Sequence, residues 1–366
     1  MTQTSLVNQD WPDTVERLGG VAALKESARK TKAFLRGREF DDAISMLRVI
    51  LAYCLGDGGL RSTAAWAASI GLADVANTAL LYRLRQSGDW LAWLVGQALA
   101  SAAPKASQGR PIRIVDATNV LKAGVAAKTK NKLWRIHSAF DLPSERFGFF
   151  ELTDEHGGER LDRAPVIKGE IRLGDRVYMQ PDRIAALLEA GADIVVRSGW
   201  RNARWLDANG AQVDLLAEFE KAAASGRIDS PIWVGRKSAP ALALRLVAIK
   251  KPPQAAEASC RAAQRSAKKA GNAISEGTLT AAHWIILVTS LPADDFSTDD
   301  ILALYRLRWR IELAFKRLKS LIGLKAPPGV DERSAKPYVL AHLLVILLLE
   351  PLIDEFEDSP RLAVAA

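Results

Sequence analysis

Three acids stand far apart in the chain, each in a setting unusual for a carboxylate. "IRIVD" ends at Asp116 and "IRLGD" ends at Asp175. On a strand, side chains two apart share a face, so each Asp continues an apolar row, Ile112 and Ile114 in one case, Ile171 and Leu173 in the other. A carboxylate there is costly unless a cation or hydrogen bonds compensate it. The third acid is Glu312, alone among cations in "YRLRWRIELAFKRLK". At roughly 100° per residue, Tyr305, Arg308, Glu312 and Lys319 fall within a helical stripe about 60° wide, with Lys316 beside it. Leu304, Leu307, Ile311, Ala314, Leu318 and Ile322 make the opposite or flanking apolar face. Three carboxylates on rigid elements suit two divalent cations, Mg²⁺ or Mn²⁺, that clamp the attacking and leaving oxygens of an in-line phosphoryl displacement. The cations of the stripe would hold phosphates. Each acid alone also has a plain reading. An Asp can end a strand facing water, and Glu312 can pair with Arg308 or Lys316 at i,i+4.

The elements that must position these groups follow from pattern. "IRIVDATNV", "LWRIHSAFDL", "RFGFFELTDEHGG", "IRLGDRVYM" and "ADIVVRS" read as strands, and "PDRIAALLEAG", opened by Pro and closed by Gly, as a helix. Three strands in a row, then strand-helix-strand, imply a mixed α/β sheet with helices on its faces. Residues 199–283 interrupt this. "WRNARWLDANGAQVDLLAEF" reads as a hairpin, "ALALRLVAIKK" as a strand and "PPQAAEASCRAAQRSAKKAGNA" as a basic helix. On that helix Arg261, Arg265 and Lys268 share a face that either grips DNA or is solvated. "HWIILVTSL" returns to strand. A long helix then starts near Thr298, capped by Ser297 or Thr298 with Asp299 and Asp300 in its first turn.

The first hundred residues read as helical, and "SAAPKASQGRP" as a linker. Two helices around Gly71 outline a helix-turn-helix with Asn77, Arg83 and Arg85 on the recognition helix, or else belong to a plain bundle. The expected domains are a helical DNA-binding domain over 1–108, a catalytic core over 109–198 and 284–366, and an insertion over 199–283.

Composition bounds the partners. With 50 Lys and Arg against 42 Asp and Glu, the formal charge is +8, which favours a polyanion, nucleic acid before an acidic membrane. Cys54 and Cys260 make no disulfide framework, and the N-terminus carries no signal-peptide core, so a cytoplasmic, nucleoid-associated protein is expected. "YVLAHLLVILLLEPLI" is short for a membrane span and reads as a buried helix. His137, His156, His283 and His342 have no metal spacing. His137 is read as packed or hydrogen-bonded, on a strand near the first Asp.

The stripe Tyr305, Arg308, Glu312, Lys319 resembles the Y-x2-R-x3-E-x6-K signature of the family-four or "YREK" group of bacterial insertion-sequence transposases. "VDATN" resembles the context of that group's first Asp, and "DRVY" its "DRGY". Val177 departs from the usual Gly. The resemblance implies an RNase H-like core with Asp116, Asp175 and Glu312 as the catalytic triad holding two Mg²⁺. It implies cut-and-paste transposition through a hairpin intermediate. The partners it implies are the terminal inverted repeats of the transposon and target DNA, met by a homodimer. It makes Tyr305, Arg308, Lys316 and Lys319 contacts to DNA, and Trp284 either a base-stacking residue or a core Trp. Two rivals stand beside it: a catalytically decayed copy acting as a DNA-binding repressor, and an RNase H-like nuclease without strand transfer.

Overall fold

The computed structural model describes residues 7–8, 10–101, 110–122, 133–142, 146–308, 327 and 331–357. The described strands are β1 (Ile112–Leu121), β2 (Leu133–Leu142), β3 (Arg146–Asp154), β4 (Ile171–Gly174), β5 (Asp193–Ser198), β6 (Trp205–Leu206), β7 (Arg227–Val234), β8 (Leu242–Lys250) and β9 (Trp284–Thr289). They form one sheet in the order β3-β2-β1-β4-β5-β9-β8-β7-β6. The three leading strands are antiparallel, and β1, β4 and β5 run parallel, as an RNase H-like sheet requires.

Alternation along the central strands divides the core in two. Ile114, Leu173, Val195, Val247 and Leu287 point to one face, while Val115, Ile194, Val196, Leu246 and Val288 point to the other. The first face is covered by the N-terminal helices α1 (Trp11–Arg17), α2 (Gly20–Lys30), α3 (Ala43–Leu55), α4 (Leu60–Ser69), α5 (Asn77–Gln86) and α6 (Gly88–Ser101). The second is covered by α7 (Pro181–Glu189), α8 (Leu215–Lys221) and α10 (Glu276–Ala282), with α9 (Pro253–Lys269) packed on α10. The helices of residues 1–101 and the sheet thus share one continuous apolar cluster.

Several expectations meet a different outcome. The segment 199–283 joins the central sheet, because β8 pairs with β9 from Arg245 to Lys250. The second half of the expected hairpin is α8: the carboxylate of Asp214 accepts from the Leu216 N–H at 2.9 Å and starts a helix where a strand was read. β4 stops at Gly174, so "DRVYM" is not strand. In α5 the two arginines are engaged within the chain. Arg83 pairs with Glu39 and lies over Phe34, and Arg85 pairs with Asp331 and donates to Ser334, so neither is presented as on a free recognition helix.

The C-terminal apolar run is the middle of α12 (Glu332–Glu357), buried from Tyr338 to Leu348 against α6, α5 and α3. No helix among the described residues is long and apolar enough to cross a membrane.

The helix entering the signature stripe is α11 (Thr298–Leu307), and Ser297 forms a full capping box with Asp300. Ile301 and Leu302 are buried, so the helix seats on the sheet from its first turn. Ser297→Ala is expected to destabilise the protein by about 1 kcal/mol, read as a shift in the urea midpoint at unchanged slope. An unchanged midpoint would mean that this cap does not hold the helix.

Candidate active site

The parallel register of β1 and β4 sets Ile112 beside Ile171, Arg113 beside Arg172 and Ile114 beside Leu173. Beyond those paired positions the charge of Asp175 acts on Asp116 and raises its pKa. The chain can end β4 sharply because residue 174 is glycine. A Cβ there would lie 3.0 Å from Tyr178 Cβ and 3.3 Å from Leu161 Cδ1. The chain folds at once into a 3-10 turn, Arg176–Tyr178, and Asp175 Oδ1 accepts from the Val177 N–H at 2.8 Å. Val177 itself is 46 % exposed, and Lys32 is the one non-glycine residue at positive φ among those described. The position therefore takes a β-branched residue without backbone strain.

Asp116 is the strained charge of the site. Burial raises its carboxyl to about 6, and the charges of Asp175 and Glu159 push the same way. The Ala117 N–H, donating at 2.8 Å, and the guanidinium of Arg308 work against the shift. Tyr178 lies buried below, its hydroxyl pushed up by burial and then by Asp116, Glu159 and Asp175.

Glu159 is an acid that pattern reading missed. Burial raises its pKa, Arg135 at 3.6 Å lowers it, and Asp175 raises it. Its backbone carbonyl accepts from Gln180 at 2.8 Å. No signal in the sequence marks it: "HGGERLDR" has the Gly pair and mixed charges of a solvated turn.

Of the signature residues, Tyr305 and Arg308 lie within the described chain. The Arg308 guanidinium lies 5.8 Å from the Tyr305 ring centroid and acts electrostatically on Asp116. Tyr305 acts in turn on Arg176, the residue after Asp175. The Tyr305 hydroxyl is buried, with no hydrogen-bond partner among the described residues. Glu312, Lys316 and Lys319 lie outside the described residues. Among the described residues, no group of three or more Asp, Glu, His or Cys is close enough to hold a metal ion.

Trp284 is 5 % exposed and stacks one face on Phe219 at 5.0 Å between ring centroids and 13° between planes, and it also lines a cleft that Arg176 and Arg197 share. His137 is buried, with Nε2 at 2.9 Å from Thr153 Oγ1, and burial lowers its pKa to about 4. It is a packed, neutral histidine.

An RNase H-like sheet that carries Asp116 within β1 and Asp175 just past the end of β4, with Arg308 acting on Asp116, has the layout of a nucleic-acid phosphoryl-transfer enzyme. The comparisons agree: the family "Transposase DDE domain" matches residues 107–348. The chain is 35 % identical over 360 residues to the putative transposase InsL for insertion sequence element IS186A of Escherichia coli K12, covering 96 % of both chains. It is also 35 % identical over 363 residues to the transposase for insertion sequence element IS421 of Escherichia coli, again covering 96 % of both. The chain belongs to the DDE transposase family.

Proposed function

We propose that this chain moves an insertion sequence by cut-and-paste transposition, with Asp116, Asp175 and Glu312 as its catalytic carboxylates. The observation that supports the reading is electrostatic: the charge of Asp175 raises the pKa of Asp116, and Arg308 of the signature stripe lowers it. Glu312 follows Arg308 by four residues, one helical turn on, if the helix continues.

The site suits divalent cations on its own chemistry. Hard oxygen donors act on one another there, and burial first, then the charge of Asp175, raises the Asp116 carboxyl to about 6. Two Mg²⁺ or Mn²⁺ bound by Asp116, Asp175 and Glu312 would supply Lewis acidity at the scissile phosphate. The chain's own groups do the rest. Arg308 and the Tyr305 hydroxyl orient phosphate oxygens at the pair, and Lys316 and Lys319 hold the backbone further along. Water first hydrolyses one strand at the element end and frees a 3′-hydroxyl; that hydroxyl attacks the opposite strand and displaces the flanking DNA to close a hairpin, water reopens the hairpin at the same bond, and the freed hydroxyl joins target DNA by displacing a target 3′-oxygen. Two element ends must meet, which calls for a dimer on DNA.

Glu312→Gln is expected to bind element-end DNA with near wild-type affinity and to lose Mg²⁺-dependent strand cleavage. Undiminished cleavage by that variant would sink the assignment of Glu312. The rival reading as a non-catalytic repressor rested on Val177, and the unstrained backbone there gives it no support. Integration products in a strand-transfer assay separate the transposase from a simple RNase H-like nuclease.

A further inference from the structure

The capping box of Ser297 and Asp300 is enough to start α11, yet the helix is also held from outside. The hydroxyl of Thr298, its first residue, donates to Asp229 Oδ2 on β7. Arg245 on β8, 8 % exposed, grips the same carboxylate: Nε donates to Oδ1 and Nη2 to Oδ2, each at 2.7 Å. Its third nitrogen, Nη1, donates to the Phe296 carbonyl at 2.7 Å and to the Leu291 carbonyl at 3.4 Å. One guanidinium therefore holds both ends of the link between β9 and α11, and one carboxylate joins that guanidinium to the helix. Arg245 first, against burial, and then the Thr298 hydroxyl hold the Asp229 carboxyl below its usual range, so the clamp is charged at neutral pH.

A second tie from β7, Arg227 to Asp299 at 3.1 Å, is largely exposed and therefore screened. Since the capping box already starts the helix, the contact of Asp229 with Thr298 fixes instead where α11 lies on the sheet. The helix carries Tyr305, and Arg308 follows its last turn and acts on Asp116. At 1.5 Å per residue, Arg308 stands roughly 15 Å along the axis from Thr298, so a tilt of about 4° at the start moves it by about 1 Å. A misplacement of that size costs up to roughly 10²-fold in rate.

We infer that Arg245 and Asp229, both in the segment 199–283, are positioning residues of the cleavage reaction: with Thr298 they set the tilt of α11 and so the reach of its signature stripe toward the acid site. The inference rests on the proposed DNA-cleaving function. Neither residue needs to touch DNA or a reacting group, because each acts through the helix. The segment that interrupts the core in sequence thereby places the helix that completes the core's chemistry.

The test is single-turnover cleavage, in Mg²⁺, of a saturating labelled duplex carrying the element end, under conditions where the variants are folded. Thr298→Val removes the hydroxyl alone and is expected to lower the rate about tenfold, and Asp229→Asn, which breaks the fork with Arg245, by up to about 100-fold. Duplex affinity in EDTA should stay near that of the wild type in both. Thr298→Ser keeps the hydroxyl and should restore the rate. A second readout needs no cleavage: Mg²⁺ should raise the urea midpoint less in Thr298→Val than in the wild type, whereas a residue that only stabilises the fold lowers the midpoint equally with Mg²⁺ and in EDTA. Wild-type rates in folded Thr298→Val and Asp229→Asn overturn the inference, as does a loss that lies wholly in duplex affinity. Thr298→Val decides the matter if Asp229→Asn does not fold. Glu312→Gln keeps the two claims apart: if it cleaves, the catalytic reading fails, and if it is inactive while Thr298→Val cleaves at the wild-type rate, the clamp alone fails.

Discussion

Asp116→Asn is expected to abolish strand cleavage and, at the same time, to make the metal-free protein more stable at neutral pH. Both effects have one cause. The fold holds the Asp116 carboxylate where burial, Asp175 and Glu159 all disfavour its charge, and so raises its pKa from 3.8 to about 6. A group whose folded pKa is raised above its unfolded value favours the folded state only while protonated. Below about pH 4 the shift therefore has no effect on stability. Above about pH 6 the charged form costs the fold up to about 3 kcal/mol. Asn keeps the shape and can still accept from the Ala117 N–H, but carries no charge. The stability gained by the variant in EDTA should thus be near zero at pH 4 and grow to its full value by pH 7, read by urea unfolding. Magnesium should raise the wild-type midpoint and leave that of Asp116→Asn nearly unmoved. Cleavage should fall by at least roughly 10³-fold, about 4 kcal/mol of barrier. Equal stabilities at pH 7 in EDTA would show that the carboxylate is not under this strain, and surviving cleavage would remove it from the triad.

The legibility of this site in the sequence was uneven for physical reasons. Asp116, Asp175, Tyr305 and Arg308 were visible because strand and helix periods are local properties, and the structure brings these four side chains into one electrostatic neighbourhood. Glu159 was invisible because its place depends on a turn folding under the end of β4, which no local period encodes. Trp284 could be read either way, since an indole preceding an apolar strand suits a core as well as a ligand. Its stacking partner Phe219 comes from a segment whose pattern reads as strand and which folds as helix. The strands were legible through β5, though not their order in the sheet. Beyond it, β7 was missed because "RIDSPIWV" holds an acid and a proline, which count against a strand, yet it pairs with β8 over its whole length. Between the apolar residues of β1 and β4, in "IRI" and "IRL", alternation sends Arg113 and Arg172 to the face opposite Ile114 and Leu173, yet Arg172 is 0 % exposed and Arg113 6 %.

Those two arginines define the residue whose loss should damage the fold most. Glu170 is fully buried between them. Arg172 Nε donates to Glu170 Oε1 at 2.7 Å, and Arg113 Nη1 approaches Oε2 at 3.5 Å. Arg113 also pairs with Asp141 across the β1–β2 ladder, through Nη2 at 3.1 Å. The cluster is balanced, two cations against two acids. Its spare donors anchor the loop below the sheet: Arg172 reaches the Leu161 and Ala164 carbonyls at 2.8 and 3.0 Å, and Arg113 reaches that of Pro165 at 2.8 Å. That loop begins at Glu159 and ends where β4 enters, so the cluster sets both the β1–β4 pairing and the floor of the acid site. Glu170→Gln keeps the volume but leaves two buried guanidiniums with one carboxylate. The uncompensated charge should cost about 3–5 kcal/mol, seen as a large fall in the urea midpoint. The double variant Glu170→Gln, Arg172→Met restores the balance, because Arg113 then faces Asp141 alone. It should be more stable than Glu170→Gln by itself, a non-additivity expected only of groups in direct contact. If instead the two substitutions add, or Glu170→Gln costs less than about 1 kcal/mol, the charges beneath the catalytic strands are solvated and the floor of the site is held by apolar packing alone.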